Sequence, residues 1–182
     1  LMWGMSGWNA ETAGPWQSNI GNAAVGNANW VAAPGNIIPN AEFALPSISS
    51  NSEDGATILA ERVAALLEGG FNSASNGDVL ANPANYFINN FWALEDVQHY
   101  GHITGAYRVQ PFSLEANNDV NLDASKPVVT YCWTGQTSSM ITAYLTVLGY
   151  NTASLKFGAN GMIYEDLESH KYATPAVDLP LQ

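Results

Sequence analysis

Cys132 is the single cysteine of a 182-residue chain and opens the run CWTGQTS, where glycine and hydroxyl residues interrupt apolar segments on either side. A thiol there has two readings from the residues themselves. In the first it is a nucleophile. Gly135 lets the loop curl, and a curled loop entering a helix turns several N–H groups toward one point. Those amides, with the helix terminus, would stabilise a thiolate, the outer atom of a persulfide or a substrate oxyanion. Ser138 lies in the first helical turn, where its hydroxyl can donate to the sulfur, and Thr137 can do the same. In the second reading Cys132 is a small buried hydrophobe, and Thr137 and Ser138 are helix caps. Trp133 would wall the site and exclude water, with Tyr131, Tyr144 and Tyr150 as further members of an aromatic patch.

The elements that must hold this loop are legible nearby. PVVTYC is a short, nearly continuous apolar run, the pattern of a parallel strand covered on both faces. SSMITAYLTVLGY follows with helical period, offering Met140, Ile141, Tyr144, Leu145, Val147 and Leu148 for burial and Gly149 as its cap, with the helix starting at Thr137 or Ser138. TASLKF is the next strand. Strand, helix, strand at this spacing implies an open, mostly parallel α/β sheet with helices on both faces, and binding sites in such sheets lie at the carboxyl edge. Upstream, EDGATILAERVAALLEGG places Ile58, Leu59, Val63, Leu66 and Leu67 on one helical face suited to a sheet, with Gly69 and Gly70 as the stop. Asp78 can cap VLANPAN. YFINNFWAL reads as a strand, LEDVQHYGHI as a short helix ending at Gly101, and AYRVQ as a strand closed by Pro111. Residues 1–53 lack sustained period, but Trp3, Trp8, Trp16 and Trp30 are costly to leave wet, so they form an ordered arm ahead of a domain spanning 54–182.

The run KPVVTYCWTGQTSSMITAYLTVLGY, with GHITGAYRVQP before it and SLKFGANGMIY after it, resembles a rhodanese-like domain over roughly residues 55 to 170. The resemblance implies a rhodanese-like α/β fold and a sulfurtransferase in which Cys132 accepts a sulfane sulfur as a persulfide and passes it to a thiophilic acceptor. It places the amides of Trp133 through Ser138 around the terminal sulfur, the family's loop serine at Ser138, and a structural histidine at His102. Two features depart from the family. Trp133 and Thr137 stand where many active relatives carry arginine, and FINNFWAL stands where an Asp and an Arg are usual. Losing guanidinium donors favours a neutral or enclosed persulfide donor over a thiosulfate-like dianion, and leaves Arg108 as the nearby positive candidate for substrate contact. The alternative is a noncatalytic binding or scaffold module that keeps the fold.

Other chemistries fit poorly. A cysteine phosphatase needs Arg at the sixth position after its cysteine, where this chain has Ser138. His99 and His102 have H-x-x-H spacing, but Gly101 between them ends the helical turn that would align them, so no metal is expected. The Asn-rich stretches lack the acidic alternation of a calcium loop. No cofactor is implied. The net charge of −11, with five basic residues spread singly, excludes a nucleic-acid surface. One cysteine forbids an internal disulfide, and no window is apolar enough for a membrane-spanning helix. The partners that the rhodanese-like resemblance implies are a small-molecule or protein-borne sulfur donor and acceptor. Asn, Ser, Thr and Gly outnumber Lys and Arg, which slightly favours an exported or periplasmic setting, with a signal peptide absent or already removed. Finally, LMWGMSGW at 1–8 echoes LKFGANGM at 155–162, which suggests that the arm starts as the tail of a preceding, similar domain.

Overall fold

The computed structural model describes residues 3–110, 112–115, 119–175 and 178–181. In chain order its elements are α1 (Gly14–Gln17), β1 (Trp30–Val31), α2 (Gly55–Gly69), β2 (Ser73–Ala74), α3 (Asn76–Ala81), β3 (Phe87–Asn90), α4 (Leu94–Tyr100), β4 (His102–Ile103), β5 (Val128–Tyr131), α5 (Gln136–Val147) and β6 (Thr152–Leu155), with short 3-10 turns between them. The apolar run 128–131 is fully buried and sits inside a four-stranded parallel sheet of order β2-β6-β5-β3. Its register pairs Phe87 with Val128, Asn89 with Thr130, and Thr130 with Ser154. This is the open α/β architecture that the strand–helix–strand pattern predicts.

Alternation along β5 sends its side chains to two cores. Val129 and Tyr131 join Ile88 and Leu155 with Val79 and Leu80 of α3 and Val97 of α4. Val128 joins Phe87, with Leu145 of α5, on the other face. Helices therefore cover both faces. The stripe that α5 turns to the sheet is only part of the apolar set the period suggested, with Ile141 and Leu148 half-buried beside Leu145, and it adds two hydroxyl residues. Ser138, Thr142 and Leu145 are buried, whereas Met140 and Tyr144 are 66% and 42% exposed.

Because α5 already covers that face, α2 packs on α5 instead of on the sheet. Its half-buried residues are Ile58, Arg62 and Leu66, one helical stripe, and Leu59, Val63 and Leu67 of the expected face stay exposed. Ser75, not Asp78, caps α3: its hydroxyl accepts the Asp78 N–H at 3.1 Å and donates to the Asp78 carboxylate at 2.6 Å. AYRVQ is not a strand. Tyr107 makes a single bridge to β3, and the next ladder position is taken by a side chain, Asn89 Oδ1 accepting the Val109 N–H at 2.9 Å. Pro111, expected to close that strand, lies outside the described residues.

The tryptophan-rich arm is ordered against the body. β1 pairs antiparallel with β4, and Trp16 stacks on buried Tyr172 at 5.2 Å while meeting Phe157 edge-on at 5.1 Å. Leu1 and Met2, the first residues of the echoed segment, lie outside the described residues, but the rest of the echo is one of conformation. The 3-10 turns Gly4–Gly7 and Ala10–Thr12 recur at Gly158–Gly161 and Tyr164–Asp166, each shifted by the same 154 residues (4 to 158, 10 to 164). Gly4 and Gly158 both have positive φ, 59° and 50°. The hydrogen bonds Trp8 N–H to Met5 O and Ala13 N–H to Ala10 O correspond to Met162 N–H to Ala159 O and Leu167 N–H to Tyr164 O.

Candidate functional site

Cys132 stands just past β5, at the carboxyl edge of the sheet, on the face covered by α5. Gly135 adopts φ 88°, ψ −9° and becomes the N-cap, so α5 begins at Gln136, slightly earlier than its apolar period indicates. A side chain at 135 would crowd the Leu155 carbonyl at 3.3 Å and the Phe157 nitrogen at 3.4 Å, which is why glycine serves here. The reversal brings Ser138 back over the sulfur. Its N–H points at Cys132 Sγ from 3.4 Å, and its Oγ lies 3.6 Å from the same atom.

The other loop residues do different things. The Gln136 N–H is held by Thr134 Oγ1 at 3.2 Å. Thr137 is exposed inside the first turn and is not the cap. Trp133 lies between two rings, stacked on Trp92 at 4.5 Å and on His170 at 5.3 Å, with Tyr100 edge-on at 5.4 Å. That aromatic wall closes one side of the loop, and Cys132 is 2% exposed. Beneath it, burial holds the Tyr131 phenol neutral, well above the usual tyrosine range, with its oxygen accepting the Ile103 N–H at 3.4 Å.

Two residues that the sequence reading passed over complete the frame. Ser154 of β6 shares a hydrogen bond of 2.7 Å with Ser138 and lies 3.3 Å from the Gly135 carbonyl, so it fixes both the hydroxyl beside the sulfur and the helix start. Asn160 is fully buried; its Nδ2 donates to the carbonyls of Trp133 and His170, both at 2.8 Å, and its Oδ1 accepts the Tyr172 N–H at 2.7 Å. The sequence signal for Ser154 was the hydroxyl alternation of Thr152 and Ser154 in TASL. Thr130, Thr142 and Thr152 extend this hydroxyl-bearing surface between α5 and the sheet, with oxygens that have no partner among the described residues.

His102 and Arg108 are not gathered around the sulfur. His102 is buried in β4, its Nδ1 donating to the Ile103 carbonyl at 2.9 Å. Arg108 gives Nε to the Trp92 carbonyl at 2.7 Å and its terminal nitrogens to Gln110, and it lines a groove with Ile37, Ile38 and Leu94. A different cavity, of about 340 Å³, opens beside the cysteine loop. Thr134, Gly135, Ser139 and Ser154 line it with Trp16, Phe71, Phe157 and Lys156, and it shares no residue with the groove of Arg108. Among the described residues no cluster of three or more His, Cys, Asp or Glu could hold a metal ion, and no helix is long and apolar enough to cross a membrane.

Residues 82–162, which contain the cysteine loop, α5 and β6, match the family model of the Rhodanese-like domain. This chain contains a rhodanese-like domain. Solved structures similar to it include a rhodanese-related protein from Thermoplasma volcanium, at 17% identity and a TM-score of 0.40, over 52% of this chain and 93% of that one. Proteins from Bacillus halodurans (14% identity, TM-score 0.36, 54% of this chain and 76% of that one) and Lactobacillus plantarum (20%, 0.35, 56% and 87%) are also similar. Comparison with curated proteins returns no match. The matched stretch leaves outside it the arm with Trp16, the helix α2, Phe71 and the segment carrying His170 and Tyr172.

Proposed function

We propose that the domain is a sulfurtransferase that carries a sulfane sulfur on Cys132. The observation that supports this most is the aim of one helix start: Ser138 directs its N–H at the cysteine sulfur and holds its hydroxyl oxygen 3.6 Å from it, where it accepts from the thiol. In the first half-reaction the Cys132 thiolate attacks the outer sulfur of a persulfide R–S–SH. A new S–S bond forms on Cys132, the old one breaks, and R–S⁻ leaves with its electron pair. In the second, a nucleophilic acceptor attacks the outer sulfur and the Cys132 thiolate is regenerated. The Ser138 N–H stabilises the anion at each stage, joined by its hydroxyl once the thiol has ionised and the hydroxyl turns from acceptor to donor, and the amides of Trp133, Thr134, Gly135 and Thr137 close on the outer sulfur once it is present. Because Cys132 is 2% exposed, the loop at 133–135 moves to admit the donor. No guanidinium stands in the loop to neutralise a dianion, which favours a persulfide donor, free or protein-borne. Arg108 reaches a substrate only by leaving Trp92 and Gln110, and His102 remains structural.

The test is steady-state transfer from glutathione persulfide to cyanide. Cys132→Ala should abolish thiocyanate formation, and Ser138→Ala should slow it by about tenfold or more, as expected for loss of one anion-stabilising donor. No transfer by the wild-type chain, or transfer that survives Cys132→Ala, would favour the noncatalytic binding or scaffold module, which the burial of the sulfur also suits.

We infer further that residues 3–13 are shaped to close a second unit of the same kind. Ala159 and Asn160 donate their N–H groups to the carbonyls of Cys132 and Trp133, at 3.0 and 3.3 Å, and Met5 and Ser6 occupy the matching positions of the repeated turn. Ala159 is wholly buried, whereas Met5 is 54% exposed, so the arm is open at that position, while Ser6, like Asn160, is buried. Fusing a copy of residues 54–154 ahead of Leu1 should slow hydrogen exchange at Met5 and Ser6; exchange as fast as in the single chain would contradict this.

A further inference from the structure

We propose that the cavity beside the cysteine loop binds a small organic monoanion with a flat apolar body, as the donor or acceptor of the sulfur. The proposal rests on the sulfur-carrier reading for its purpose and on separate observations for its chemistry. The first is a cation. Arg62 and Arg108 are engaged by backbone carbonyls, Lys126 donates to the Ala84 carbonyl, and Lys171 lies over the Tyr164 ring. Among the described residues Lys156 is the one basic side chain without an acceptor or ring, and it lines this cavity.

The second is the wall. Trp16, Phe71 and Phe157 face the same space, which at about 340 Å³ falls within the range of small-molecule sites. Trp16 and Phe71 lie outside the matched domain, so the arm and the link from α2 to β2 supply two of the three rings. An inorganic dianion would gain nothing from three aromatic rings and would meet a single exposed ammonium in a chain of net charge −11. An aryl or short alkyl body bearing one negative charge uses both the rings and the lysine. Thr134, Ser139 and Ser154 complete the lining. Ser154 continues through Ser138 to the sulfur, by steps of 2.7 and 3.6 Å, so a ligand seated here is two side chains from the group it must meet and reaches it when the loop at 133–135, which lines the cavity through Thr134 and Gly135, moves.

The experiment titrates the full chain with benzenesulfonate, which is unreactive toward thiols, following tryptophan fluorescence and calorimetric heat. Saturable binding is expected, weakened about threefold or more in Lys156→Met and kept in Lys156→Arg, the scale of one exposed ion pair. Sulfate should bind more weakly than benzenesulfonate, and Cys132→Ser should bind benzenesulfonate as the wild type does. Failure to saturate, or equal affinity in wild type and Lys156→Met, overturns the proposal. The sulfur adduct on Cys132 is read separately by mass. An adduct without benzenesulfonate binding ends this site and leaves sulfur carriage standing; binding without an adduct does the reverse.

Discussion

The thiol at 132 is held by contacts that converge from three directions. Ser138 approaches from α5, Ser154 anchors Ser138 from β6, and the turn after β6 clamps the loop backbone from behind. That clamp is tight at Gly158, where φ is 50° and an added Cβ would come 2.1 Å from the Cys132 carbonyl oxygen. Since the Ala159 N–H bonds this same carbonyl at 3.0 Å, the backbone has no room to yield without losing the bond. Gly158→Ala should therefore destabilise the fold by about 3 kcal/mol, the upper part of the range for single substitutions. Urea unfolding checks it, and a loss under about 1 kcal/mol would show that the clamp gives way easily. The contact from Ser138 to Cys132 was legible in the sequence because a strand end, a glycine and a helix start fold residues 132 and 138 together by local geometry. The roles of Ser154 and Asn160 were not, because they depend on which strand pairs with β5 and on where the following turn lands.

At the scale of elements, α5 positions the site and α2 secures α5. Arg62 Nε donates to the Val147 carbonyl at 3.1 Å and its Nη2 to the Thr146 carbonyl at 2.6 Å, so a cation sits on the negative end of the helix whose start faces the sulfur. Arg62→Ala should cost about 1 kcal/mol, and Arg62→Met, which keeps the apolar stem, should recover part of it. Equal stability of all three proteins in urea would show that these carbonyls are as well served by water. Apolar period gave β5, α4 and the existence of α5 and β6 correctly, because each buries a face against the sheet. It drew the faces of α2 and α5 too wide, since Leu59, Val63, Leu67 and Met140 satisfy a helical period without being covered, while Ile58, Leu66, Ile141, Leu145 and Leu148 of the same sets are covered at least in part. It overread AYRVQ, where Asn89 substitutes a side chain for the ladder that would have made a strand.

Over the whole molecule, the rhodanese-like domain is completed by chain on both sides of residues 82–162. Trp16 of the arm packs on Tyr172, and the same arm supplies one wall of the cavity beside the cysteine loop. That the tryptophans would dock was readable from their cost in water. Which surface they would cover was not, because it depends on Phe157 and Tyr172, far along the chain. With the aromatic wall of Trp92, Trp133 and His170 on the other side, the cysteine is enclosed by segments that no local pattern joins. The central claim is that this enclosed thiol takes up sulfur, and intact mass after brief exposure to glutathione persulfide and removal of excess tests it most directly. The account predicts one added sulfur per chain, located on the peptide containing Cys132 and absent from Cys132→Ala. An unchanged wild-type mass would contradict it.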